Sequence, residues 1–272
     1  MKSSLAFLGS LLVVFTAFAL TTRAIDTNRD TPFSHPSLDR VANIRSDNRS
    51  PNGDFKPGSE ALIGVSGVFI PNLGQVSHDV YFQLIGPIRE ANFRARSIGI
   101  RRRVGIAPEA GHESVVDVRF VGANPRPEVR ATGLADKRLS YVGDVLGKSF
   151  TASVPLFSEL TYENLYDGVD LRVSAEDSRI TRRFMFEPGV STDRVLLHYD
   201  GAENPVLLST GGIRISTGRG SLQYAGPTAY QERNGERVGI SIGYKLGRYG
   251  AFGFSIGEYD ASLPVVIEVE GV

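Results

Sequence analysis

The chain has 272 residues, with thirty Lys+Arg against thirty Asp+Glu. A formal net charge of zero supplies no global field toward nucleic acid or an anionic membrane. The absence of cysteine excludes a disulfide framework, a thiol nucleophile and a lipid-modified cysteine anchor, so the fold must stand on burial and backbone hydrogen bonds.

Lys2, the apolar run Leu5 to Leu20 and the small-residue end Thr22-Arg23-Ala24 follow the order of a secretory signal, with cleavage expected after Ala24. The run is shorter than the roughly 20 residues a spanning helix needs, which makes an uncleaved anchor the weaker reading. Residues 25–58 are polar and irregular and read as a disordered linker. In it, Asp26-x-Asn28-x-Asp30 matches the start of a calcium loop. Thr31 and Ser37 stand where that loop needs glycine and glutamate, so a solvated tail is expected instead. Asn48-Arg49-Ser50 fits a glycosylation acceptor.

Residues 59–272 read as an all-β domain, either one unit or two sub-domains dividing near 175–205. Arg94, Arg96 and Arg101-Arg102-Arg103 form a basic stretch suited to an anionic glycan or, more simply, a charged outer face. Val116, Val118 and Phe120 alternate with polar residues, as a half-buried strand does. Gly143 to Ser149 resembles a phosphate loop but has three residues between its glycines where four are needed, so nucleotide binding is not expected. Ser158 to Asp167 is the one stretch considered for helix, closed by Asp167-Gly168, although its apolar residues make no convincing stripe.

Val169, Leu171 and Val173 predict a strand that returns, past Glu176-Asp177-Ser178, through Ile180 to Phe186. Val195, Leu197 and Tyr199 alternate in the same way, and Val206–Thr210 with Ile213–Thr217 flank Gly211-Gly212 as a second hairpin. Thr228 to Arg233, the turn Asn234-Gly235, the alternation from Val238 to Leu246, and Phe252 to Ile256 predict a three-strand meander. The fold class expected is an antiparallel β-sandwich, as one large or two packed units, with a sheet closed into a barrel as the alternative, and few or no helices after the signal. No fixed-period repeat points to a propeller or solenoid.

The four histidines, His35, His78, His112 and His198, lack the close spacing of a metal pair, and no Gly-x-Ser-x-Gly elbow occurs. Neither a cofactor nor a metal is expected. The densest acidic cluster is Glu159, Glu163, Asp167 and Asp170, interleaved with Tyr162 and Tyr166. It reads either as a solvated turn or as a sugar or calcium groove. The candidate ligand-binding residues are Tyr162, Tyr166, Asp167, Asp170, Arg101, Arg102 and Arg103.

Several segments occur in a characteristic order: Phe69-Ile70-Pro71-Asn72-Leu73-Gly74-Gln75-Val76, Val118 to Pro125, Tyr141 to Asp144, Val154 to Phe157, and Tyr162 to Leu171. Phe186 to Gly189, Tyr230-Gln231-Glu232, Tyr259-Asp260 and Pro264 to Ile267 follow. The succession, over about Val68 to Val269, resembles the uncharacterised N-terminal domain of bacterial secreted proteins that carry SBBP (β-propeller) repeats. The resemblance implies an all-β extracellular or cell-surface module with no catalytic residues to carry over. Phe150 and Glu268 depart from its pattern, and the chain reaches Val272 without repeats.

The functional expectation is an exported, non-enzymatic module that binds an extracellular or envelope protein or glycan, with no nucleic-acid partner and no later transmembrane segment. The alternative is a carbohydrate-active hydrolase, marked by convergence of any two of Glu159, Glu163, Asp167, Asp170 and Glu232 at roughly 5–10 Å. A third reading is an assembly role through exposed strand edges.

Overall fold

The computed structural model describes residues 33–34, 67–73, 76–86, 89–103, 112–145, 148–176, 179–218 and 220–271. The expected signal, the calcium-like spacing, the glycosylation triplet and all of the expected linker except Phe33–Ser34 lie outside them. The described chain is all-β. In order, its strands are β1 (Phe33–Ser34), β2 (Phe69–Pro71), β3 (Val80–Ile85), β4 (Arg89–Arg94), β5 (Ser97–Arg103), β6 (His112–Phe120), β7 (Glu128–Val145) and β8 (Lys148–Tyr166). They continue as β9 (Val169–Glu176), β10 (Arg179–Phe186), β11 (Leu197–Asp200), β12 (Glu203–Leu207), β13 (Ile213–Thr217) and β14 (Gly220–Tyr224). The last are β15 (Thr228–Arg233), β16 (Glu236–Ile240), β17 (Ile242–Leu246), β18 (Phe252–Ile256) and β19 (Val265–Gly271).

Antiparallel pairing makes two walls. One runs β8-β9-β10-β19-β15-β16, and the other β2-β3-β4-β5-β6-β11-β18-β17. They meet twice. At one side β8 pairs with β9 through Glu159↔Ser174 and onward, then with β2 at Phe157↔Phe69. At the other, Ser241 separates β16 from β17, so the chain leaves β15 and joins β18. The Ser241 carbonyl accepts the Gly257 N–H at 2.7 Å across this corner. The expected sandwich is thus one large antiparallel sheet, nearly closed into a barrel.

Strand periodicity fills the interior. Val116, Val118 and Phe120 point inward, as do Val169, Leu171 and Val173, and Val195, Leu197 and Tyr199. The walls interlock through Phe120 against Phe184 (6.4 Å) and Phe184 against Phe254 (6.1 Å). Each such buried side chain contributes on the order of 1.5–3 kcal/mol. Val173, Ile180, Val195 and Leu197 belong to one hydrophobic cluster, so the core is continuous across residues 175–205.

Two local expectations are corrected. Ser158 to Asp167 is not helical but the end of β8, because Leu160 and Tyr162 follow a period of two and both face the core. Asp167-Gly168 is the turn to β9, closed by Tyr166↔Val169. Likewise Val238 to Leu246 is not one straight inward-facing strand. The partner switch at Ser241 leaves Val238 and Leu246 exposed while Tyr244 stays buried.

Asn234 and Gly235 both adopt positive φ (51° and 82°), the backbone that a tight hairpin turn between β15 and β16 requires. Gly271 is needed for another reason: a Cβ there would lie 2.6 Å from Tyr224 Cε1. We expect Gly235→Ala to cost about 1–2 kcal/mol through backbone strain alone. Gly271→Ala should cost about 1–3 kcal/mol by displacing the Tyr224 ring. Urea denaturation checks both, and only the second change should alter the near-ultraviolet tyrosine signal.

Candidate functional site

The acidic and aromatic cluster divides across the β8–β9 sheet. Tyr162 is 0% exposed and packs edge-on against Phe120 at 6.4 Å. Tyr166 is also buried, and its hydroxyl donates to the Leu196 carbonyl at 3.4 Å. Burial, the first cause for each, pushes both phenols upward and keeps them neutral. The structure puts both rings in the interior, where neither presents a face to a sugar.

The carboxylates lie on the outside. Asp170 Oδ1 accepts the Asn164 N–H at 2.7 Å and holds Asn164 at φ 48° beside a register shift in β8. Asn124 braces the same bend, donating from Nδ2 to the Asn164 carbonyl at 3.2 Å. Glu163 pairs with Arg130 at 3.2 Å and Asp167 with Arg194 at 3.4 Å. Glu232 faces Arg237 at 3.8 Å on the β15–β16 hairpin, and Glu159 stands on the outer face of β8 between Thr132 and Ser174. Among the described residues no group of three or more His, Asp or Glu side chains could hold a metal ion.

The basic stretch runs along β4 and β5. Arg94 joins Asp79 (2.7 Å) and Asp117 (3.2 Å), binding three segments on the outer face. Arg101 stands opposite Glu90 in register. Arg102 and Arg103 belong to β5, but their side chains lie outside the described residues. Two buried amides serve as braces within segments shared with the resemblance. Asn72 donates to the carbonyls of Ser77 and Val80, and Gln231 donates to those of Asp260 and Leu263 while accepting the Asp260 N–H.

The most unusual group is one that sequence reasoning missed. Arg182 is 2% exposed and shares the inward face of β10 with Ile180, Phe184 and Phe186. An arginine at an inward position of an alternating strand was the available signal. Its guanidinium lies over the Tyr224 ring at 4.9 Å, a cation–π contact. Tyr199 and Tyr244 stand close enough to act on its charge. Burial opposes that charge, but the three tyrosines together outweigh it and hold the guanidinium protonated. Among the described residues neither terminal nitrogen makes a well-formed hydrogen bond, nor do the Tyr199 and Tyr244 hydroxyls, although Tyr199 stands close enough to accept from the guanidinium. No carboxylate is buried among the described residues. Glu268 and Glu270 on adjacent β19 instead bind Arg183 (2.6 Å) and Arg179 (3.1 Å).

On the outer face, Arg119 grips Asp200 with two bonds, at 2.7 and 3.1 Å, and His198 Nδ1 meets the same carboxylate at 2.7 Å. The Arg119 bond lowers the Asp200 pKa against the opposing effect of burial, with His198 adding to it. A carboxyl held below its unfolded value of about 3.9 stabilises the fold above that pH and loses the contribution as pH falls through the folded value. Asp200→Asn should therefore lower the Tm at pH 7 and flatten the fall in Tm below about pH 4. Thermal melts of both proteins from pH 7 to 2 check this; parallel curves would contradict it.

No helix among the described residues is long and apolar enough to cross a membrane. No curated protein sequence and no solved structure matches the chain. Residues 69–268, from β2 into β19, match a family known as a domain of unknown function, DUF7948. With the match spanning nearly the whole barrel, the chain belongs to the DUF7948 family.

Proposed function

We propose that this chain is an exported, non-enzymatic β module that holds an extracellular or cell-envelope partner, protein or glycan, on the outside of a rigid barrel. The observation that carries the reading is a β-ribbon arm. β7 and β8 stay paired from Arg138↔Pro155 to Val145↔Lys148, past Phe157, the last point at which β2 borders β8. Among the described residues, neither outer edge of this ribbon has a strand partner.

A lone two-stranded ribbon is marginal in water, and its open N–H and C=O groups suit an added strand. Its base is anchored by Ile70, Ile85, Val154 and Leu156, a small cluster apart from the main core. The arginine-paired or backbone-bonded outer carboxylates Glu163, Asp167, Asp170 and Glu232 support a scaffold more than a hydrolase. The secretory pattern of residues 1–24 supplies the compartment. The ordered segments from Phe69 to Ile267 extend the proposal to kinship with the N-terminal domain of SBBP-repeat proteins.

The test is retention of the mature protein on envelope fractions of the producing cell, either untreated, protease-treated or glycan-digested. A variant with residues 138–155 replaced by a tight turn should be retained at least about tenfold less, a loss of roughly 1.4 kcal/mol. Equal retention of both proteins would remove the arm from the account. Release of reducing sugar with no retention would favour the hydrolase.

A further inference from the structure

We propose that the barrel interior holds one small inorganic anion of the halide class against the Arg182 guanidinium. Arg182 is the only buried charged side chain among the described residues, and no buried carboxylate balances it. An interior ion carries a desolvation penalty of several kcal/mol; the neighbouring tyrosines ease it, the ring contact by about 2 kcal/mol, but bring no opposite charge. The carboxylates on the neighbouring strand are turned outward and held by Arg183 and Arg179.

The hydrogen-bond inventory points the same way. A guanidinium has donors only. Tyr199, close enough to accept from the guanidinium, and Tyr244 carry further donors nearby, but Arg182 is the group among them that borders the cavity. A ligand that only accepts complements this set, whereas water would bring two more donors and no charge.

Size narrows the class. A cavity bounded by Ile98, Ile100, Ile180, Leu222, Tyr224 and Gly271 opens directly on Arg182 and has room for about one water molecule. Halides are the smallest class of common inorganic anion and come nearest to such a space; phosphate, sulfate and carboxylates are too large for it. The cavity lies between β5 of one wall and β10 and β19 of the other, with β14 beside β19. Tyr224↔Gly271, the single register pair between β14 and β19, forms its rim. An anion there ties that hairpin to the barrel.

The test uses the protein exchanged into gluconate and titrated with chloride or bromide at fixed ionic strength. The Tm should rise with the logarithm of halide concentration, by about 3–5 °C per tenfold once the site begins to fill. Arg182→Met should abolish the response, and Arg182→Lys should keep part of it. Should Arg182→Met fail to fold, anomalous diffraction from wild-type crystals grown in bromide decides. A peak in the cavity beside Arg182 supports the site. An empty cavity, or equal effects of gluconate and halide, overturns it and leaves the guanidinium satisfied by aromatic rings or water alone.

Discussion

Backbone pairing around a dry aromatic interior is the constraint on which this fold depends. Strand N–H and C=O groups lie in the plane of the sheet, so around an interior filled by Phe69, Phe93, Phe120, Phe184 and Phe254 those cut off from water must find a neighbouring strand. The chain meets this demand by nearly closing its sheet, using two economical joints. One is the Phe69↔Phe157 pair, where β2 takes over the edge that β9 has left. The other is the Ser241 corner, where one strand serves both walls in turn. Shifting any strand by one residue would turn its inward set to water, so register is tightly specified.

Charge on the outer face acts within that framework. Arg94, Arg119, Arg130 and Arg183 each meet a carboxylate across strands or neighbouring segments. Partly exposed pairs of this kind contribute little individually, but they discriminate one register from another. The buried amides of Asn72 and Gln231 do related work at the turns, satisfying clusters of carbonyls that strands alone leave open. Asp170, which looks chemically active within the acidic cluster of the linear chain, turns out to shape a bend together with Asn124. The two groups that remain after this accounting are the ribbon arm outside and Arg182 inside.

Much of the fold was legible because strand periodicity is local. The Val169–Phe186 hairpin follows from period-two burial on both sides of its turn, with Glu176↔Arg179 closing it and Phe186↔Val169 at the far end. Asn234-Gly235 announced its hairpin through backbone conformation alone. A closed sheet was one of the two readings open to the sequence, but where it closes was not legible, because a partner switch at Ser241 depends on which strands lie nearby, and the sequence from Val238 to Leu246 keeps its alternation through the corner. Tyr162 and Tyr166 misled for a similar reason. Four positions apart, both rings share the inward face, and the register shift around Asn164 leaves that parity unchanged, while acidic neighbours suggested a wet groove. Arg182 was visible as an exception to its own strand's pattern, yet a lone arginine among inward residues carries no meaning until the described residues are seen to bury no carboxylate beside it.

Native-state hydrogen exchange tests the central claim, that both walls enclose a single core. Amides of β9, β10 and β19 in one wall and of β5, β6 and β18 in the other should exchange only through one common global opening, with the same free energy and the same denaturant dependence. Two distinct openings, one for each wall or one on either side of residues 175–205, would contradict it.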